Sequence, residues 1–354
     1  MTPSEVAERH RRRARVALDL GRYDTAEREA RDALGAAPSD ADALVLLTRA
    51  RLGAGRYDGA LEAAEAAVQA SPDLGYAHYL TAFALQCLGR HGDALPCLER
   101  ALTLEPSFAR YHARRAFSLA EVGRKVDAAE AVERALALDP RDGVVMEMAA
   151  RVLGTLGSHD RAERLARELI ALEPGSATGF GRLAWLLTEQ RRFPEAAEAA
   201  REAIRLDPNH YAAWANLGYA ALELRLYAEA ESASREALRL RPGLSSATTN
   251  LVAALRERGA LDEAAELLAQ GRARDPANAT VERQLREVRA AIATRDEVRL
   301  VDRVVVTLLG AVATFIVALV DARVALVVGV LALIATVIAW RVGRKPEALP
   351  PPAP

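Results

Sequence analysis

From residue 7 to about residue 278, apolar and small side chains recur at helical spacing in paired stretches, and the pairs repeat. In one pair, Tyr211 to Leu224 predicts a first helix and Ala228 to Leu240 a second, with a short turn between them. Prolines stand at 38, 72, 106, 140, 174, 208, 242 and 276, always 34 residues apart. A proline inside a helix costs about 3 kcal/mol, so each one reads as the break between one pair and the next. Alanine precedes every proline by twelve residues, at Ala26, Ala60, Ala94, Ala128, Ala162, Ala196, Ala230 and Ala264. Five residues earlier still, six units carry glycine (Gly21, Gly55, Gly89, Gly123, Gly157 and Gly259), and the other two carry Arg191 and Arg225. The glycine position ends the first helix, where a residue tolerating positive φ is wanted. The alanine sits where the two helices cross, and a larger side chain there would force them apart.

This 34-residue unit resembles the tetratricopeptide repeat, a helix–turn–helix module. The resemblance rests on Trp214, Leu217, Gly218, Ala221, Ala230, Ser234, Ala237 and Pro242, the unit that matches best. Units begin at residues 7, 41, 75, 109, 143, 177, 211 and 245. A ninth, partial unit, "ATVERQLREVRAAIATRDEVR", reads as a polar capping helix over 279–294. The first unit departs from the pattern, with Arg13 where leucine is expected, so its first helix is expected to pack loosely. The resemblance implies an all-α fold: a right-handed superhelical solenoid of eight repeats over 1–294, with a concave groove that binds partner proteins or peptides.

Composition narrows the chemistry. The chain has 354 residues, 27% of them charged, and a net charge of −1, which gives no overall pull toward nucleic acid, and no DNA partner is expected. Lys125 and Lys345 are its only lysines, a compositional habit of the source genome that leaves little for Schiff-base or phosphate-loop chemistry. The N-terminal "MTPSEVAERHRRRARVALDL" has no apolar core of a secretory signal. Its basic run, Arg9 to Arg15, reads as a solvated face. Cys87 and Cys97 form no disulfide framework and are expected as free thiols.

Catalytic and metal motifs find no footing. His10, His78 and His112 share position 4 of their units, and His91 and His159 share position 17, which holds Tyr23, Tyr57, Phe193 and Tyr227 in four other units. Repetition at fixed positions argues for packing roles, and no paired zinc-ligand motif is present. The "LGAGRYDGA" stretch looks like a phosphate loop, but Gly55 is the repeat's turn glycine and no strand precedes it. No enzyme, cofactor or metal is expected.

Candidate binding residues are those on the first helices that would face the groove: Arg49, Tyr79, Phe83, Arg110, Arg114, Phe117, Arg151, Arg182, Trp185 and Tyr219. Arginine forks carboxylates and rings supply contact area at small entropic cost, which suits an acidic and apolar peptide. The same mixture would also stack RNA bases. Family members that hold the carboxylates of chaperone tails use a five-residue clamp. Units 2 to 4 offer Val45, Arg49, Leu80, Arg110 and Arg114 at those positions, too few matches for the clamp.

Beyond the repeats, 304–320 and 324–340 contain no charge and are separated by "DAR". The apolar residues of the first stretch gain roughly 3 to 7 kcal/mol on insertion, and Asp321 with Arg323 at mid-bilayer would cost about as much. A two-helix transmembrane hairpin over 304–340 is therefore expected to contact membrane lipid, after a connector at 295–303 and before a proline-rich tail at 341–354. Arginines on both flanks place the repeats and the C-terminus on the cytoplasmic side. The expectation is a membrane-anchored interaction scaffold. The alternative is an accessory subunit of a membrane complex whose hairpin makes the main contacts.

Overall fold

The computed structural model describes residues 2–274, 278–319 and 322–342, which form eighteen helices and no strand. In chain order these are α1 (Pro3–Asp19), α2 (Tyr23–Ala36), α3 (Ala41–Gly53), α4 (Tyr57–Ala70), α5 (Gly75–Cys87), α6 (His91–Leu104), α7 (Ala109–Glu121), α8 (Lys125–Leu138) and α9 (Gly143–Thr155). They continue as α10 (His159–Leu172), α11 (Ala177–Glu189), α12 (Phe193–Leu206), α13 (Tyr211–Glu223), α14 (Tyr227–Leu240), α15 (Ser245–Glu257), α16 (Leu261–Arg274), α17 (Ala279–Leu319) and α18 (Ala322–Val342). Seven first helices, α3 to α15 by odd numbers, begin at the residue where the repeat starts. The expected Pro276 break lies outside the described residues.

Each hairpin closes in the same way. At the end of α1, Arg22 N donates to Ala17 O at 2.8 Å and Gly21 N to Leu18 O at 3.0 Å, with Gly21 at φ 67°. These bonds satisfy carbonyls that the helix end leaves open. Arg191 (φ 58°) and Arg225 (φ 61°) take the same left-handed conformation where glycine is missing. All eight repeat alanines are fully buried, as a close helix crossing requires.

α1 differs from its expectation. It starts at Pro3, four residues ahead of the repeat, because Thr2 and Glu5 form a reciprocal cap: Glu5 N donates to Thr2 Oγ1 and Thr2 N to Glu5 Oε2. It is not loosely packed, since Ala7, Ala14 and Ala17 are buried against α2 while Arg13 points to solvent.

The chain divides into two compact units, Met1–Leu251 and Val252–Pro354. In the first, each odd-numbered helix packs on its own hairpin partner and also on the next odd-numbered helix, whereas the even-numbered helices do not reach one another. The odd helices are therefore the crowded inner layer. Their core is built largely of alanine with interspersed Leu, Val and Met, including Leu119, Val145, Met148 and Leu186.

In the second unit α17 is one continuous helix that packs on α16 through Leu285 and Val288. Here the transmembrane expectation finds no support. Among the described residues no helix is long and apolar enough to cross a membrane. Of the hairpin expected over 304–340, the side chains of 316–326 lie outside the described residues. The expected turn at Asp321 and the tail from residue 343 lie outside the described residues.

Candidate functional site

The inner layer of the first unit carries a ladder of rings and guanidinium groups. It starts on α5, where Tyr76 stacks on Tyr79 (ring centroids 5.6 Å apart) and Tyr79 on Tyr111 of α7 (5.0 Å). Arg114, buried on α7, lies 3.7 Å from the centroid of Phe83 and 5.0 Å from that of Tyr79. It is held by Gln86, whose Oε1 accepts from Arg114 Nη1 at 2.7 Å and whose Nε2 donates to Ser118 Oγ. One repeat on, Arg151 of α9 lies 3.9 Å from the centroid of Phe117. Two repeats beyond Arg114, Arg182 of α11 lies 5.2 Å from the ring of Trp185. Contacts of this kind contribute about 0.5–2 kcal/mol each, and they hold both partners in place.

Where the ladder reaches α9, α11 and α13 it borders a cavity of about 580 Å³. Arg151, Arg182 and Trp185 line it, together with Glu121, Glu147, Asp207, Asn209, His210, Tyr211 and Asn216. Arg182 is ion-paired to Glu147, with Nε donating to Oε1 at 3.1 Å. Asn216 donates to Gly181 O at 3.3 Å, tying α13 to α11. His210 caps α13, its Nδ1 accepting from Ala213 N at 3.1 Å, so this ring is neutral; burial lowers its pKa. Tyr211 Oη accepts from Arg241 Nη1 at 2.5 Å, and Arg241 also lies over the Tyr211 ring at 4.8 Å.

Burial pushes the Cys87 thiol up, and the charges of Arg114, Arg241 and Arg151 offset part of that push. Burial also lowers the pKa of Arg151, with the Arg182 charge acting in the same direction.

Of the residues singled out from sequence, Arg151, Arg182 and Trp185 line the cavity, while Tyr79, Phe83, Arg114 and Phe117 form the ladder leading to it. Arg110 is committed to Asp142, Nε to Oδ2 at 2.7 Å. Arg49 is exposed and joins no stack among the described residues. Tyr219 is exposed and meets Phe193 edge-on at 5.9 Å. Sequence reasoning missed Asp207, Asn209, His210 and Arg241, because it considered only first helices while these lie in the turn before α13 and just after α14; Tyr211, the first residue of α13, was within reach. Glu147 was within reach, on a first helix one turn before Arg151.

Two of the three histidines at position 4 share a structural task with Trp214. His78 bonds to Pro72 O and His112 to Pro106 O, both at 2.8 Å, and Trp214 Nε1 donates to Pro208 O at the same distance. Cys87 and Cys97 are free. His10, Glu29 and Asp32 bring three potential ligand atoms together, but His10 Nδ1 is already hydrogen-bonded to Glu29 at 2.7 Å.

Comparison with known proteins agrees with this architecture. A family model described as tetratricopeptide repeat matches residues 11–74, 82–143, 147–209 and 182–245, more than half of the chain. Among solved structures, the chain is similar to the Cut9–Hcn1 hetero-tetramer of the APC/C (TM-score 0.60, 18% identity, 78% of this chain and 54% of that one). It is similar to yeast Tom70 (0.57, 18%, 77% and 61%) and to a tetratricopeptide repeat protein of Parabacteroides merdae (0.56, 15%, 71% and 99%). It thus spans little more than half the length of the first two, and at these identities the likeness speaks for fold alone. No curated protein matches. The 34-residue register, the buried alanines and the family match together establish that this chain belongs to the tetratricopeptide repeat family, a family of protein–protein interaction scaffolds.

Proposed function

We propose that the inner layer of residues 1–251 is the docking surface of this scaffold and takes an extended segment of a partner protein along the arginine–aromatic ladder. The observation that carries this reading is the succession of arginine–ring contacts on α5 to α11, from Tyr76 to Trp185, the last of which border the cavity between α9, α11 and α13. Rings and guanidinium groups already immobilised by stacking lose little entropy when a ligand arrives.

Selection of peptides from a displayed library on the full-length protein tests the reading, with the half-buried Trp185 as the probe. Selected peptides are expected to lose most of their affinity for the Trp185→Ala protein and to leave the fold unchanged by circular dichroism. Peptides that bind Trp185→Ala as well as wild type would place docking elsewhere.

A second reading, attachment to a membrane, is favoured by one feature of the C-terminal unit. Leu300, Val301, Leu308, Leu309 and Phe315 of α17 and Leu331, Leu333 and Trp340 of α18 are all more than half exposed. Apolar surface of that extent calls for a cover, and we propose that lipid supplies it for 304–340, with the repeats on the cytoplasmic side. Flotation of the full chain with phospholipid vesicles, abolished by deleting 304–340, is the expected result; a full chain that stays in the soluble fraction without detergent would overturn it.

A further inference from the structure

We infer that Arg151 is a receptor for a side-chain carboxylate, so that the partner segment must present an aspartate or glutamate at the cavity between α9, α11 and α13. This rests on the docking reading above and adds the chemistry of the ligand.

A guanidinium has five N–H donors and no acceptor. The face of this one is covered by the Phe117 ring at 3.9 Å, and its edge borders the cavity. Among the described residues its side chain makes no hydrogen bond and no ion pair. The nearest candidate on its own helix, Glu147, is one turn away and is taken by Arg182. Other arginines removed from solvent are provided for. Arg51 holds Glu27, Arg192 holds Glu163, and Arg114 donates to Gln86. Arg151 is half-buried and charged, with no carboxylate within ion-pair distance and with the charges of Glu147 and Glu121 acting on it only from further off, an arrangement that costs free energy in the empty protein. A carboxylate arriving on the open edge would recover that cost in a bidentate pair, for which the stack on Phe117 has already set the guanidinium plane.

The lining decides which anion. Glu121, Glu147 and Asp207 also border the cavity. A phosphate dianion would meet all three, whereas a singly charged carboxylate on Arg151 meets one positive partner and a weaker repulsion. Trp185 and Tyr211 flank the same space, so the carboxylate sits beside rings that suit apolar neighbours in the segment.

The test uses the full-length protein and two libraries of displayed octapeptides, one acetylated and amidated so that only side chains supply carboxylates, the other with free C-termini. The expected outcome is that the blocked library enriches Asp or Glu at one position. Replacing that residue by Asn or Gln should weaken binding to wild type on the order of tenfold. Binding to the folded Arg151→Gln protein should be equally weak for acidic and amide peptides, and Arg151→Lys should recover only part of the preference. Peptides selected without acidic preference would overturn the inference and leave the docking reading standing. The same follows if the preference survives in Arg151→Gln or if only free C-termini are enriched. A library yielding no binder at all would sink both.

Discussion

Arg225 holds the left-handed backbone conformation (φ 61°) that Gly259 takes one repeat later (φ 77°). The turn geometry is imposed by the two helices it joins, and a residue with a Cβ is carried into it at a cost of about 1–2 kcal/mol. Arg191 is in the same position at φ 58°. Replacing either by glycine relieves that strain and adds some freedom to the unfolded chain, so Arg191→Gly and Arg225→Gly are each expected to stabilise by about 0.5–1 kcal/mol. The converse control is Gly123→Ala. Its Cβ would meet nothing within 4 Å, so a destabilisation of about 1 kcal/mol would be a pure backbone effect. Urea unfolding midpoints check all three.

The repeat alanines make a steric prediction. Ala128 is fully buried where α7 and α8 cross. Ala128→Leu places three further carbon atoms in a space already filled, and overpacking of that kind costs about 1–3 kcal/mol. Gly218 gives the same test from the facing helix, since a Cβ there would lie 2.6 Å from Ser234 Oγ and 3.4 Å from Ser234 N. Gly218→Ala is expected to destabilise although alanine is the better helix former. A gain in stability would show that the α13–α14 crossing can yield.

Helix positions were legible because the 34-residue register repeats eight times, and each unit restates the same start, crossing and stop. Arg191 and Arg225 show the limit of reading residue types alone: they break the glycine pattern and keep its backbone. The binding surface was legible only where it lies on first helices, as with Phe117, Arg151 and Trp185. Asp207, Asn209 and His210 contribute from the turn before α13, and Arg110, marked as a groove residue, is spent on Asp142. Neither fact follows from spacing, because both depend on which neighbour each side chain finds across the hairpin boundary. The uncharged C-terminal stretches were read for their length, yet among the described residues no helix is long and apolar enough to cross a membrane.

Acid should loosen the repeats through their histidines. Burial lowers the pKa of His91, His112 and His210 from the ordinary 6.5. A base with a depressed folded-state pKa is bound to fewer protons when folded than when unfolded, so its contribution is complete above pH ~6.5 and is lost as pH falls below that value. For His210 there is also a structural loss, since protonated Nδ1 can no longer accept from Ala213 N. His210→Asn retains an acceptor suited to a helix N-cap and does not titrate. The unfolding midpoint of wild type is expected to fall between pH 7.5 and pH 5.5, and that of His210→Asn to fall less.

Two carboxylates at the same repeat position bind one hairpin to the next. Glu27 on α2 is 4% exposed and meets Arg51 of α3 and Arg56 before α4; Glu163 on α10 is 5% exposed and meets Gln190 and Arg192 before α12. Burial pushes each carboxyl up, and the hydrogen bonds and arginine charges around it outweigh that push, leaving both below the ordinary range. Their contribution is therefore present above pH ~4.5 and lost as pH falls further. Glu163→Gln keeps the shape and removes the charge that Arg167 and Arg192 face. Partners that are themselves partly solvated reduce the penalty from that of a fully buried pair, so the expected cost is about 1–3 kcal/mol. Because neighbouring repeats stabilise one another through their shared interfaces, that loss should appear first as faster amide hydrogen exchange in α10 to α12. Exchange unchanged there while the whole chain destabilises would mean that the repeats unfold as one block.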